Sequence, residues 1–155
     1  MPYDFTFKRT IELDNQTALV RNISLAKALT ESFSEITDLN LPNPDFHFSK
    51  TVIDSEKEFP EQHFYLEADI DGCYYIFSFW KDNLYVELGA GGNMDRRFNH
   101  LRDCSEIILD HDFQIQSPTE GKLLTTDIGF EQHIEAYKEW VSFIDKVRKI
   151  RNSSE

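Results

Sequence analysis

Apolar and polar residues alternate at the start of the chain, with Tyr3, Phe5 and Phe7 on one side and Asp4, Thr6 and Lys8 on the other. A period of two puts successive side chains on opposite faces, so residues 3–13 read as a strand. The period then lengthens: Leu19, Ile23, Ala26, Leu29, Phe33 and Ile36 step by three and four, which gathers them into one stripe of a helix ending near residue 37. Asp14-Asn15 offers side-chain acceptors to its first N–H groups. The segment Leu39-Asn40-Leu41-Pro42-Asn43-Pro44 stops it, because proline supplies no N–H. A start only at Ser24 is the alternative.

The middle of the chain returns to strand periodicity. Residues 45–53 read as a strand, 54–61 as a charged loop, and 62–70, 73–81 and 84–88 as an antiparallel meander. Asp71-Gly72 is a two-residue hairpin turn, since both central positions of a type I′ turn need positive φ; Asp82-Asn83 is a second. Two-residue turns set the register: Ile70 opposite Cys73, Ala68 opposite Tyr75, Leu66 opposite Phe77, Phe64 opposite Phe79, then Phe79 opposite Val86 and Phe77 opposite Leu88. One face is then Phe64, Leu66, Ala68, Ile70, Cys73, Tyr75, Phe77, Phe79, Val86 and Leu88, a core face. The other carries Tyr65, Glu67, Asp69, Tyr74, Ile76, Ser78, Trp80, Tyr85 and Glu87. A slip of one residue would exchange the two sets.

After Gly89-Ala90-Gly91-Gly92, residues 93–103 suit a short helix through Met94, Phe98 and Leu101, and 105–116 read as one or two strands. Residues 130–150 form a long helix. Phe130, Ile134, Tyr137, Val141 and Ile144 make its stripe, broadened by Trp140, Phe143 and Val147, with Glu131 and Glu135 early and Lys146, Arg148 and Lys149 late, as the helix dipole favours. The sum is a single α+β domain over 1–155: an antiparallel sheet packed against a long early helix and a long C-terminal one.

Composition narrows the partners. The 155 residues carry 16 Lys and Arg against 28 Asp and Glu, a net charge of −12, with 13 Phe, 6 Tyr and 2 Trp. The apolar content supports one core. No run reaches the ~18 apolar residues of a membrane span. The N-terminus lacks the charged-then-apolar pattern of a secretory leader, and two cysteines are too few for a disulfide framework, so a reduced cytoplasmic protein is expected. Phosphate backbones and anionic membranes repel such a chain, so neither nucleic acid nor membrane is an expected partner. Residues 54–87 hold nine acidic residues against two lysines, whereas residues 138–151 hold five basic residues against two acidic ones.

Catalytic signatures are thin. Tyr85-Val86-Glu87-Leu88-Gly89-Ala90-Gly91-Gly92 resembles the glycine-rich loop of class I methyltransferases, with Glu106-Ile107-Ile108-Leu109-Asp110 in the place of the next strand and Asp110 at the ribose position. The resemblance implies a small transferase, but Asn93 stands at the third glycine position and the meander is antiparallel where that family needs a parallel sheet. His100 and Cys104 lie four apart on a helix and His111 seven further on. No second His/Cys pair completes a zinc site, and nothing nearby would lower the thiol pKa, so a surface histidine and a half-buried cysteine are expected. His133, between Glu131 and Glu135, is expected to be solvated. Glu67, Asp69 and Glu87 on neighbouring strands could serve as paired acids, without a visible cleft. No catalytic residue, cofactor or metal is assigned.

The mixed meander face carries more. Aromatic rings give contact area at small entropic cost, and carboxylates around them select a cationic partner. Glu67, Asp69 and Glu87 would supply charge, Tyr65, Tyr74, Trp80 and Tyr85 anchorage. The acidic loop Asp54–Glu61, with Glu56, Glu58 and Glu61, is a second surface. The competing expectation is that the long helices cover this face. In size, acidity and α+β class the chain resembles bacterial toxin-neutralising immunity proteins, which implies a basic toxin domain, often a nuclease, as partner. A structural or adaptor subunit, dimerising through an edge strand or the Trp140/Phe143 helix face, is a further reading.

Overall fold

The computed structural model describes residues 3–32, 61–70, 73–89, 93–119 and 121–153. In chain order these form strand β1 (Tyr3–Arg9), helix α1 (Asn15–Ser32), strands β2 (Gln62–Ile70), β3 (Cys73–Trp80) and β4 (Asn83–Leu88), helix α2 (Met94–Leu109), strand β5 (Phe113–Ile115) and helix α3 (Thr126–Ser153). The strands make one antiparallel sheet in the order β2-β3-β4-β1-β5. The α+β class read from the periodicities is the one observed. The expected strand 45–53 and the loop acids Glu56 and Glu58 lie outside the described residues, as do Phe33 and Ile36.

The core forms where one face of the sheet meets the helices. Phe5, Phe7, Phe64, Leu66, Tyr75, Phe77, Phe79, Leu84 and Val86 cluster with Leu25 and Leu29 of α1, Leu101 and Ile108 of α2, and Phe130 and Tyr137 of α3. Each such side chain contributes ~1.5–3 kcal/mol by leaving water. All three described helices therefore cover the same face. Asp14 starts α1 as expected, its carboxylate accepting the Thr17 N–H at 2.8 Å. The buried stripe is Ala18, Leu19, Asn22, Leu25, Ala26 and Leu29, so Ile23 is only half-buried and a polar residue, Asn22, takes a core position.

The β2–β3 hairpin has the register expected of a two-residue turn, from Ile70 opposite Cys73 to Phe64 opposite Phe79. The next hairpin does not. Val86 lies opposite Phe77, Leu88 opposite Tyr75, and Leu84 opposite Phe79, two residues from the expected pairing. The turn is Lys81-Asp82, not Asp82-Asn83. The expected register would have set Lys81 against Leu84 on the core face; the observed one puts Phe79 there. Bonds from other segments hold this end of the hairpin: Arg9 N–H to the Asp82 carbonyl, Arg9 Nε to the Lys81 carbonyl and Asn22 Nδ2 to the Trp80 carbonyl. A shift of two preserves the faces, so the division into core and opposite face stands.

Residues 105–109 are not a strand. They complete α2, whose buried positions Arg97, Leu101, Cys104, Ser105 and Ile108 follow helical spacing. Ile107-Ile108-Leu109 is a short apolar run whose period cannot distinguish the two states. Asn93 caps α2, its side chain accepting the Arg96 N–H at 3.0 Å, and Asp110 ends it. The chain reverses at Asp112, in the left-handed region at φ 67, before the short β5.

Helix α3 starts four residues before the expected 130 and brings Gly129 against β5. A Cβ there would lie 2.7 Å from Ile115 Cγ2 and 2.9 Å from Ile115 Cβ. Gly129→Ala is thus expected to destabilise by ~1–2 kcal/mol despite alanine's better helix propensity, read as a lower thermal midpoint. An unchanged or raised midpoint would show that Ile115 yields freely. Phe143 and Val147 do not broaden the buried stripe; both are exposed.

Candidate protein-binding face

Strand pairing turns the opposite side of the sheet into rows. Glu67 of β2 lies opposite Ile76 of β3, Ile76 opposite Glu87 of β4, and Glu87 opposite Asp4 of β1. Beside this acidic row runs Tyr65, Ser78, Tyr85 and Thr6, and farther along the same strands stand Trp80 of β3 and Lys8 of β1. Asp69 holds a strand position opposite Tyr74. Tyr65 is 48% exposed and Tyr74 43%; Trp80, Tyr85 and Glu87 are half-buried and Glu67 is exposed. The described helices, the competing cover, lie on the other side. Glu61, from the acidic loop, is exposed beside the start of β2, where its carbonyl accepts the Lys81 N–H.

Asp4 is the residue that sequence reasoning missed. Its alternation with Tyr3 and Phe5 placed it on the polar side of β1, but only the long-range β1–β4 pairing sets it against Glu87. Like charges directly opposite across strands repel, and partial burial adds to the strain. Burial raises the Asp4 carboxyl above the usual carboxylate range; burial and then Asp4 raise that of Glu87. Burial, followed by the charge of Glu67 and a hydrogen bond to it, pushes the Tyr74 hydroxyl up as well. Trp80 packs edge-on to Tyr85 at 6.3 Å and donates Nε1–H to Ser78 Oγ at 3.1 Å, which limits its ring to one setting. The face can therefore offer concentrated negative charge between oriented rings.

The other candidates fall inside the fold. His133, expected in solvent, is fully buried. It stacks on Phe5 with centroids 4.2 Å apart, and its ring nitrogens meet the Tyr3 hydroxyl at 2.8 Å and the Gln116 carbonyl at 2.6 Å. The early start of α3 and its packing on β1 turn this helix face inward, between two glutamates that stay outside. His63 is likewise buried. A bulge between Gln62 and Phe64 admits it to a polar cluster in which its nitrogens reach Asn22 Nδ2 at 2.9 Å and Asn15 Oδ1 at 2.7 Å. Arg9 donates to Asn22 Oδ1 at 2.6 Å. Burial lowers both imidazoles to about 4.

His100 is half-buried, with Nδ1 2.8 Å from the Tyr75 hydroxyl. Cys104 is buried rather than half-buried, and burial pushes its thiol up to about 12, away from nucleophilic use. Among the described residues, no group of three or more His, Cys, Asp or Glu is arranged to hold a metal ion. The methyltransferase-like segment loses its second strand, because residues 106–109 are helical and β4 pairs antiparallel on both sides; residues 90–92 of the glycine loop lie outside the described residues. A groove of about 530 Å³ between α2 and α3, lined by Arg102, Ser105, Glu106, Phe130, Ile134 and Lys138 among others, contains none of the residues expected to bind a partner. No described helix is long and apolar enough to cross a membrane. Compared with known proteins, the chain matches no family model, no curated protein and no solved structure.

Proposed function

We propose that this chain is an acidic protein-binding module of the immunity type, which holds a basic toxin domain and blocks it by occupation rather than by chemistry. One observation carries the reading: Glu67, Glu87 and Asp4 share a cross-strand row beside Tyr65, Tyr74 and Tyr85 on the sheet face opposite the three described helices. Arginines and lysines that a nuclease uses for phosphate would meet carboxylates at similar spacing. Long-range attraction speeds encounter, and desolvated pairs with buried rings set the lifetime. The unfavourable Asp4–Glu87 pairing adds to this, since a guanidinium between them removes a repulsion that the free protein carries. In this reading the protein works in the cytoplasm and the partner's gene is a neighbour encoding a larger exported protein with a basic C-terminal domain.

The test is titration of that basic domain by calorimetry against the wild-type chain and the triple variant E67K/D69K/E87K. Affinity is expected to fall by ~100-fold or more at low salt, since close charge pairs across such interfaces couple by ~1.5–7 kcal/mol. High salt is expected to narrow the difference. Unchanged affinity at low salt would remove this face from the reading, and a neighbouring product with no basic domain would remove the partner class.

A further inference from the structure

Helix α3 carries a second apolar line that leaves the core beyond Trp140. Its first half packs through Phe130, His133 and Tyr137, all buried, and Trp140 and Val141 lean against the cluster. Beyond them Phe143 is 61% exposed, Val147 37% and Ile150 68%. Ala136, Trp140, Phe143, Val147 and Ile150 are separated by four, three, four and three residues, the spacing of a coiled-coil seam. At roughly 100° per residue they fall in one narrow stripe, about a quarter-turn from the line that packs on the sheet.

The charges beside this seam say what fits it. Glu139 and Lys146, seven apart, flank it on one side and Arg151 on the other. A parallel pairing of two such helices would set Lys146 against Arg151 of the second copy, a repulsion. An antiparallel pairing in which Trp140 of each copy meets Phe143 of the other sets Glu139 of each beside Lys146 of the other, twice by symmetry. We infer that α3 pairs antiparallel with α3 of a second copy of this chain, making a two-fold dimer. A seam of two heptads is small, so the dimer is weak and concentration-dependent. The helix lies on the covered side of the sheet, so dimerisation leaves the acidic face available.

Sedimentation equilibrium of the full chain is expected to show a monomer–dimer equilibrium. Phe143→Asp is expected to weaken it roughly tenfold or more, the scale of a lost aromatic anchor, with an unaltered circular dichroism spectrum because the residue is exposed. E139K and K146E are each expected to weaken association, and the double variant to restore it. A wild-type chain that stays monomeric at every concentration overturns the inference. So does a dimer that persists in Phe143→Asp, a double variant without rescue, or a monomer that binds phosphatidylserine vesicles through Phe143.

Discussion

Stability is expected to fall steeply as the pH drops from neutral to about 4, because two buried histidines must be neutral in the native state. Both His63 and His133 have folded-state values near 4, against an ordinary 6.5, with burial as the main cause. Below 6.5 the unfolded chain takes up protons that the native chain refuses, so unfolding gains free energy through the whole window. Each pKa unit is worth about 1.4 kcal/mol, giving roughly 3 kcal/mol per histidine by pH 4. Asp14, lowered by its bonds to the Thr17 N–H and side chain, acts in the same direction at more acidic pH. Asp4 and Glu87 act oppositely: their raised values mean that the native state holds protons more tightly, so their contribution improves as the pH falls.

Urea unfolding across this range measures the sum, and His133→Gln isolates one part. Glutamine can still donate to the Gln116 carbonyl and accept from the Tyr3 hydroxyl, but it cannot take up a proton. The variant is expected to lose about half of the pH dependence that the histidines create, whatever its stability at neutral pH. Proton NMR titration of the imidazole C–H signals is expected to find two histidines still neutral near pH 5. Protonation of every imidazole by pH 5, or a pH slope unaltered by the substitution, would contradict the buried neutral assignment.

Arg97→Ala is expected to cost about 3 kcal/mol, one of the largest losses from a single side chain here. The residue is 1% exposed. Its guanidinium donates to the Tyr74 carbonyl at 3.0 Å and lies 5.1 Å from the Tyr75 ring centroid and 6.0 Å from that of Tyr137. Truncation removes the donor from a partly buried carbonyl, removes two cation–π contacts and opens a cavity among large rings. Arg97→Met, which keeps the apolar stem, is expected to recover part of the loss but not the bond. Because Tyr74 stands on the opposite face, the same variants are expected to weaken partner binding. A destabilisation below about 1 kcal/mol on the guanidine chloride midpoint would show that water replaces the guanidinium.

Much of the proposed face was legible because local rules sufficed. The Asp71-Gly72 signal and the alternation in 62–80 determine the β2–β3 register without reference to the rest of the chain. That alternation alone separates Phe64, Leu66, Tyr75, Phe77 and Phe79 from Tyr65, Glu67, Tyr74, Ile76 and Trp80. The β3–β4 turn is not legible locally, because Lys81, Asp82 and Asn83 are all acceptable turn residues. Burying Phe79 against Leu84, and the bonds from Arg9 and Asn22, decide between them. The end of α2 is not legible locally either, because Ile107-Ile108-Leu109 fits a strand as well as a helix; the shared burial of Leu101, Cys104 and Ile108 decides for the helix.

The amino-acid sequence by itself determined the α+β class, the two faces of the meander, the cap at Asp14 and the acidic character of the surface. These depend on side-chain period and local hydrogen bonding, which act over a few residues. Only the tertiary structure decided that the described helices share one side, that Asp4 confronts Glu87, that His63 and His133 are buried and neutral, and that the end of α3 keeps an apolar line exposed. Each of these requires segments far apart in the chain to meet, and the free energy of that meeting comes from burial and pairing that no local pattern encodes.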